Sequence, residues 1–338
     1  MTPLRLGIIG CGAITQEVHL PIVLNRSDIK ISILCDKILA TAERAKRLFG
    51  LPTPITNDLD AVVTSADIAL VAVPPRLHKS VCCSLLEKGL DVLCEKPLAA
   101  NPDEAREIAA VVERAGRLLG VGFQTRFLGG NALMSAVIQE GMLGELQEVK
   151  CEFGAKMDYP MSGDAYYNFA TTRGGVLYDS GIHIVDRVIA LFGPIDVLRF
   201  EDDSFGGVES NAYLAGSVSV FGRSVPCSMW FSWTHPLPNT ICAIGTRATA
   251  MLGRSWPESV LIKSHVTGLP TESMLNWSGA LANSDDKGGG HRLWADFVDA
   301  VRTRRPPLND VNSSIRVLET IERAYSIRTP MQQPWVIA

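Results

Sequence analysis

The chain has 338 residues, 46% of them apolar and 20% charged, which is enough for about two domains with cores of their own. That composition excludes a disordered chain, a collagen and a short disulfide scaffold. A formal net charge of -4 leaves no basic excess to neutralise a phosphate backbone, so no nucleic-acid partner is expected.

Met1 to Gly7 lacks the charged, apolar and small-residue regions of a secretory signal, and no apolar run approaches the roughly 20 residues that span a bilayer. The expectation is a soluble cytoplasmic protein without a membrane partner. The cysteines Cys11, Cys35, Cys82, Cys83, Cys94, Cys151, Cys227 and Cys242 show no C-x-x-C spacing, and several sit in apolar runs, as buried reduced thiols do. The histidines are scattered without metal-ligand spacing, so no metal is expected.

In chain order, short apolar runs predict strands from Leu4 to Ile9, Ile29 to Cys35, Ile68 to Val73, Asp91 to Cys94 and Leu118 to Gly122. Between them, amphipathic stretches predict helices from Ala13 to Asn25, Leu39 to Phe49, Leu77 to Lys88 and Pro102 to Ala115. Asn101 fits the N-cap of the last of these, and Gly89 and Gly116 stand where C-caps belong. Alternating strand and helix means a parallel sheet, and consecutive apolar residues mean helices on both of its faces.

After about residue 124 the pattern changes. Helical stretches from Asn131 to Glu140 and from Ser180 to Phe192 accompany β-like segments such as Glu148 to Gly154, Asn211 to Phe221 and Val225 to Trp233. The triplet Gly288, Gly289, Gly290 reads as a mobile loop before a helix from Arg292 to Arg302, and a last helix spans Val311 to Ile327. The fold class is therefore α/β, in two parts. Residues 1–123 form a doubly wound parallel sheet, and residues 124–338 an α+β domain with a large, mainly antiparallel open sheet. The last helix is free to pack on either part.

The first strand runs into Gly10-Cys11-Gly12-Ala13-Ile14-Thr15, a G-x-G-x-x-T form of the dinucleotide fingerprint placed between strand and helix, as in a Rossmann domain. Gly10 permits the tight turn and Gly12 lets the backbone come close to a pyrophosphate. The amides of Ala13 and Ile14 open a helix whose positive end attracts phosphate. Thr15 replaces the usual third Gly or Ala, which puts the closeness of helix packing in question. Asp36 ends the second strand, 24 residues after Gly12, where a carboxylate accepts from ribose hydroxyls and favours NAD. Lys37 beside it suits a 2′-phosphate and keeps NADP open.

Two further strands end in Val71-Ala72-Val73-Pro74-Pro75-Arg76-Leu77-His78 and Cys94-Glu95-Lys96-Pro97-Leu98, at the sheet edge where open α/β folds bind ligands. This makes Pro74, His78, Glu95 and Lys96 candidates for cofactor contact, with helix capping an equal alternative for His78. Glu-Lys-Pro after a strand, following the glycine fingerprint, resembles the glucose-fructose oxidoreductase / inositol dehydrogenase / rhizopine catabolism (Gfo/Idh/MocA) family. The segments Val121-Gly122-Phe123-Gln124-Thr125-Arg126-Phe127, Gly174-Gly175-Val176-Leu177-Tyr178-Asp179-Ser180-Gly181-Ile182-His183 and Phe297-Val298-Asp299-Ala300-Val301 through Pro306-Pro307-Leu308 are similar to others of its motifs.

The resemblance implies a nicotinamide-dependent oxidoreductase acting on a sugar, polyol or related cyclic hydroxyl or keto compound, in a homodimer or homotetramer. It places Lys96, Asp179 and His183 at the family's catalytic positions. The chemistry agrees. Moving a hydride from a carbinol carbon also requires the hydroxyl proton to leave, so a base and a positive group must flank the oxygen. His183 suits the base, Asp179 four residues earlier suits its orienting carboxylate, and Lys96 supplies the charge. Each has a plainer alternative: a helix cap for Asp179, a core residue for His183, a loop charge for Lys96.

Gln124 and Arg126 are candidates for cofactor or substrate contact, against interdomain hydrogen bonds and salt bridges. Tyr166, Asn168 and Arg173 are candidates to line the substrate pocket. Trp230, Trp233 and Trp256 are expected to fill the sheet's packing face or an oligomer contact. Two rival functions share the architecture: a cofactor-binding regulator without turnover, and a glycosidase that uses bound NAD in a transient oxidation. The presence of Lys96, Asp179 and His183 together argues against the regulator, which needs no proton relay.

Overall fold

The computed structural model describes residues 2–156, 174–267, 272–278 and 288–332. Leu6, Ile8 and Ile9 of β1 (Leu4–Ile9) are buried, because helices cover both faces of the sheet it centres. The chain passes through a π-helical turn, Thr15–His19, into α1 (Leu20–Leu24). It continues through β2 (Ile29–Cys35), α2 (Leu39–Leu48), β3 (Ile55–Thr56), α3 (Leu59–Ser65), β4 (Ile68–Val71), α4 (His78–Glu87), β5 (Asp91–Cys94), α5 (Pro102–Ala115) and β6 (Leu119–Val121). The strands pair in parallel in the order β3-β2-β1-β4-β5-β6. Strand order reverses between β1 and β4, which opens a crevice at their carboxyl ends.

Local chemistry accounts for the helix ends. At α5, Asn101 Oδ1 accepts from the Glu104 amide at 2.9 Å, Pro102 takes the first position, and Gly116 closes the helix at φ 60°. One strand and one helix went unpredicted. β3 has only two residues, just after Pro52 and Pro54, and α3 has seven; both are too short to show a period.

The second half supplies α6 (Gly129–Gln139), β7 (Leu146–Gly154), α7 (Ile182–Phe192), β8 (Ile195–Asp202), β9 (Asn211–Val220), β10 (Arg223–Ser232), β11 (Thr240–Gly245), β12 (Ala248–Gly253), β13 (Trp256–Ser264) and β14 (Glu272–Asn276). α8 (Gly288–Thr303), α9 (Val311–Ser326) and β15 (Arg328–Pro330) complete the described chain. The second sheet has nine strands in the order β14-β13-β12-β11-β7-β10-β9-β8-β15. It is antiparallel except where β7 meets β10 and β8 meets β15. Val225, Cys227, Met229 and Phe231 of β10 point into the core. Trp230 points the other way and packs on Tyr213, its register partner in β9, with ring centroids 4.4 Å apart.

The chain divides into two units, Met1–Gln124 with Lys287–Ile315, and Thr125–Asp286 with Arg316–Ala338. The sequence boundary at 123 had assigned everything after it to the second part, whereas α8 and the start of α9 belong with the first unit. A second difference concerns the glycine triplet, which is the first turn of α8 and not a loop. Gly290 faces Ile22, and a Cβ there would lie 2.6 Å from Ile22 Cδ1, so the glycine serves close helix packing.

Candidate active site

In the first unit, Gly10 has φ +90°, and a Cβ on it would lie 2.3 Å from the Ala72 carbonyl; here the loop after β1 touches the loop after β4. Gly12 differs, since a Cβ there would meet no protein atom within 4 Å. Its open face and the exposed Ala13 and Ile14, which begin the helix, form a cradle that fits a pyrophosphate. Thr15 is fully buried and donates from Oγ1 to the Gly10 carbonyl at 2.6 Å, so it braces the loop where a third glycine would have let the helix approach.

Asp36 is locked in place. Its Oδ2 accepts from the Cys11 amide at 2.8 Å and its Oδ1 from the Ile38 amide at 2.9 Å. Lys37 beside it is exposed. Burial, then the neighbouring Asp36 carboxylate, pushes the Cys11 thiol up to about 12 and makes it a poor nucleophile. All eight cysteines are free; six are buried, and Cys83 and Cys242 are half-buried.

Pro74 is exposed on the loop after β4. His78, a candidate for cofactor contact, is instead a brace. It is fully buried, and its Nδ1 and Nε2 lie 2.8 Å from the carbonyls of Pro97 and Val73 respectively, tying the loop after β4 to the loop after β5. Both ring nitrogens are occupied, and burial holds the imidazole below the usual histidine range. Lys96 stands at the carboxyl end of β5, half-buried, and its peptide bond to Pro97 is cis. Glu95 is buried and turned inward: Oε1 lies 2.8 Å from His19 Nε2, and Oε2 accepts from the Lys96 amide at 3.1 Å. Gln124 Oε1 is shielded from solvent with no hydrogen-bond partner, an acceptor waiting for a donor.

In the second unit, Gly174 and Gly175 are required by crowding. A Cβ would lie 2.2 Å from Tyr325 Oη at Gly174 and 1.8 Å from the Glu209 carbonyl at Gly175. A π-helical turn, Leu177–Gly181, follows and continues into α7. Asp179 and His183 are half-buried on this helical run, and His183 Nδ1 lies 3.4 Å from Thr125 Oγ1. Arg126, a candidate for substrate contact, spends its guanidinium on the buried carboxylate of Asp186, donating from Nε at 3.1 Å and through a second bond to Oδ1. Tyr166, Asn168 and Arg173 lie outside the described residues.

Several structural partners were not anticipated from sequence. Asn131 Nδ2 donates to the carbonyls of Thr125 and Arg126 at 2.7 and 3.0 Å, fixing the segment that touches His183. Its Oδ1 accepts from Arg187 Nε at 3.0 Å. Trp233 does more than fill a packing face, since its indole N–H donates to Ser180 Oγ at 3.2 Å, one residue from Asp179. His19 and Trp294 stand behind Glu95. None of these residues belongs to a local motif, and only the apolar spacing of α8 hinted that Trp294 is buried.

The fold and the loop after β1 define a protein whose first unit is an NAD(P)-binding Rossmann domain. The sequence model of the oxidoreductase family with an NAD-binding Rossmann fold, GFO_IDH_MocA, matches residues 4–123, and that of the GFO/IDH/MocA C-terminal domain matches residues 132–251. The chain belongs to the Gfo/Idh/MocA family. It is 29% identical over 194 residues to a D-glucoside 3-dehydrogenase of Escherichia coli (strain K12), covering 57% of this chain and 55% of that one. It is 28% identical to the trans-1,2-dihydrobenzene-1,2-diol dehydrogenase of Mus musculus, over 77% of each chain. The alignments span only about half the length of the first two curated relatives, 55% and 52%. A 3-ketoreductase from Actinomadura kijaniata, crystallised with TDP-benzene and NADP, shares the fold at a TM-score of 0.81 and 19% identity, over 98% of this chain and 99% of that one.

Proposed function

We propose that the protein is an NAD(P)-dependent dehydrogenase or reductase acting on a CH–OH or keto group of a sugar, polyol or related cyclic compound. One observation carries this reading: Gly12 presents an open backbone face beside an Asp36 whose two oxygens are already oriented, at the strand edge from which Lys96 also projects. The glycine at position 12 has no explanation in the protein's own packing, and a bound pyrophosphate supplies one. Gly10, Gly12, Ala13, Ile14 and Asp36 would hold the cofactor, with Pro74, Lys96 and Gln124 as further contacts. The nicotinamide, when bound, supplies the hydride acceptor or donor.

The chain's own groups handle the proton. His183 removes the hydroxyl proton in the oxidative direction and returns it in the reductive one. Asp179 favours the protonated imidazole, and the Lys96 ammonium stabilises the developing alkoxide. The relatives named as dehydrogenases of a glucoside and of a cyclic diol support a cyclic hydroxyl substrate. Among the described residues no helix is long and apolar enough to cross a membrane, and a cytoplasmic homodimer or homotetramer completes the reading.

Titrating the protein with NADH and NADPH by fluorescence, then screening glucosides, polyols, inositols and sugar acids for NAD(P)H formation, tests it. NADH is expected to bind more tightly, because the oriented Asp36 carboxylate meets ribose hydroxyls and repels a 2′-phosphate. Lys96→Ala and His183→Ala are each expected to lower kcat by roughly a hundredfold or more. Equal rates for the wild type and both variants would show that these residues do not carry the chemistry.

A further inference from the structure

The first unit contains a buried row of polar groups that the proton chemistry does not use: Trp294 of α8, His19 in the turn before α1, and Glu95 at the end of β5. Trp294 is fully buried, and His19 and Glu95 are 2% and 8% exposed. Trp294 Nε1 lies 3.2 Å from His19 Nδ1, and His19 Nε2 lies 2.8 Å from Glu95 Oε1. An indole N–H can only donate, so His19 Nδ1 must carry the lone pair and His19 Nε2 the proton. That proton is then donated to Glu95. The direction of every bond follows from the one residue that has no choice.

The far side of Glu95 is equally constrained. Its second oxygen accepts from the backbone amide of Lys96 at 3.1 Å, so the carboxylate has one oxygen on the relay and one on Lys96. Gly122 leaves room for it, since a Cβ there would lie 2.9 Å from Oε1. Burial by itself would raise the Glu95 carboxyl, but the His19 hydrogen bond and the nearby positive charge of Lys96 outweigh it and hold the group below the usual carboxylate range. The other titratable side chain that feels this carboxylate is His78, which is bound to Pro97 and Val73.

We infer that Trp294 and His19 are positioning residues for Lys96: they fix the Glu95 carboxylate in one orientation, and through it the backbone from which the Lys96 ammonium is presented. This rests on the catalytic reading of Lys96. A plain core-packing role for the same residues would need neither a defined tautomer nor a defined donor direction.

The test uses the full chain. Long-range proton–nitrogen spectra of histidine-labelled protein read the His19 tautomer, expected as Nε2–H in the wild type and lost as a single form in Trp294→Phe. His19→Leu keeps bulk and loses both bonds. His19→Gln keeps both, its amide oxygen accepting from Trp294 and its NH₂ donating to Glu95. On the hydroxyl substrate that turns over best in the screen, His19→Leu is expected to lose roughly tenfold to a hundredfold in kcat at nearly constant KM and NADH affinity. His19→Gln is expected to recover most of that loss. Where His19→Leu does not fold, Trp294→Phe carries the same kinetic expectation. A wild-type His19 with its proton on Nδ1, or equal rates for the Leu and Gln variants, overturns the relay. Full activity in Lys96→Ala would overturn the catalytic reading instead, and it leaves the tautomer result to be judged separately.

Discussion

Gly10 and Gly12 stand two residues apart and are glycine for different reasons. Gly10 is required by the fold, through its positive φ and the Ala72 carbonyl 2.3 Å from any Cβ. Gly12 is left open by the fold. Alanine substitution should therefore separate stability from binding. Gly10→Ala is expected to destabilise the protein by about 1–3 kcal/mol in urea unfolding, the usual cost of a strained backbone position. Gly12→Ala should unfold like the wild type yet lose roughly tenfold or more in NADH affinity, about 1.4 kcal/mol, because the added methyl stands where the phosphate approaches. Wild-type NADH binding by a folded Gly12→Ala would remove the reason for placing the pyrophosphate there.

At the level of elements, both helices that carry site residues begin with a π-helical turn, Thr15–His19 before α1 and Leu177–Gly181 before α7. Such turns widen the helix and often mark functional positions. The second is clamped by Glu209, a fully buried carboxylate whose Oε1 accepts from Tyr325 Oη at 2.7 Å and from the Leu177 amide at 3.2 Å. Burial raises the Glu209 carboxyl above its usual range, opposed chiefly by the Tyr325 hydrogen bond. Tyr325→Phe removes that donor and is expected to cost about 1–3 kcal/mol at neutral pH.

The sign of the pH dependence follows from the same cause. The variant's Glu209 is harder to ionise than the wild type's, so the stability gap is widest where the carboxylate must be charged. It closes as pH falls through the carboxylate range and the group protonates in both proteins. Urea unfolding of the two proteins across that range measures it, and a gap that widens in acid would show that the clamp does not act through Glu209.

Across the whole molecule, what the sequence revealed was local. The fingerprint, Asp36, Glu-Lys-Pro and the run from Gly174 to His183 are each contiguous, and a strand or helix end sets their geometry, so their spacing could be read directly. The parallel order of the first sheet followed from strand–helix alternation. The partners that lock the site could not be read, because Trp294 meets His19 across 275 positions and Tyr325 meets Glu209 across 116. Polar contacts at such separation leave no periodic trace. The second sheet was legible as antiparallel from three alternating segments, but its nine-strand order, with β7 inserted in parallel beside β10, is a tertiary choice. The glycine triplet misled because its packing reason, Ile22, lies far away in sequence.

That long-range closure predicts where the first unit can be cut. A fragment ending at Gln124 keeps all six strands of the parallel sheet but loses α8, which buries Leu293, Trp294, Phe297 and Val298 in this unit. It also loses Arg304, which donates to Asp91 Oδ2 at 2.8 Å, and Asn309, whose carbonyl accepts from the Val121 amide at 3.0 Å. Removing those side chains exposes apolar area worth about 1.5–3 kcal/mol for each large one, and leaves the edge strand β6 without its cover. Against a total stability of about 5–15 kcal/mol, that loss is decisive. Residues 1–124 alone should keep far-ultraviolet helical signal, lack near-ultraviolet ellipticity and bind no NADH. Adding 287–315 through a flexible linker should restore a cooperative urea transition and NADH binding. A fragment 1–124 that unfolds cooperatively and binds NADH as well as the full chain would show that α8 is an accessory to this unit and not part of its core.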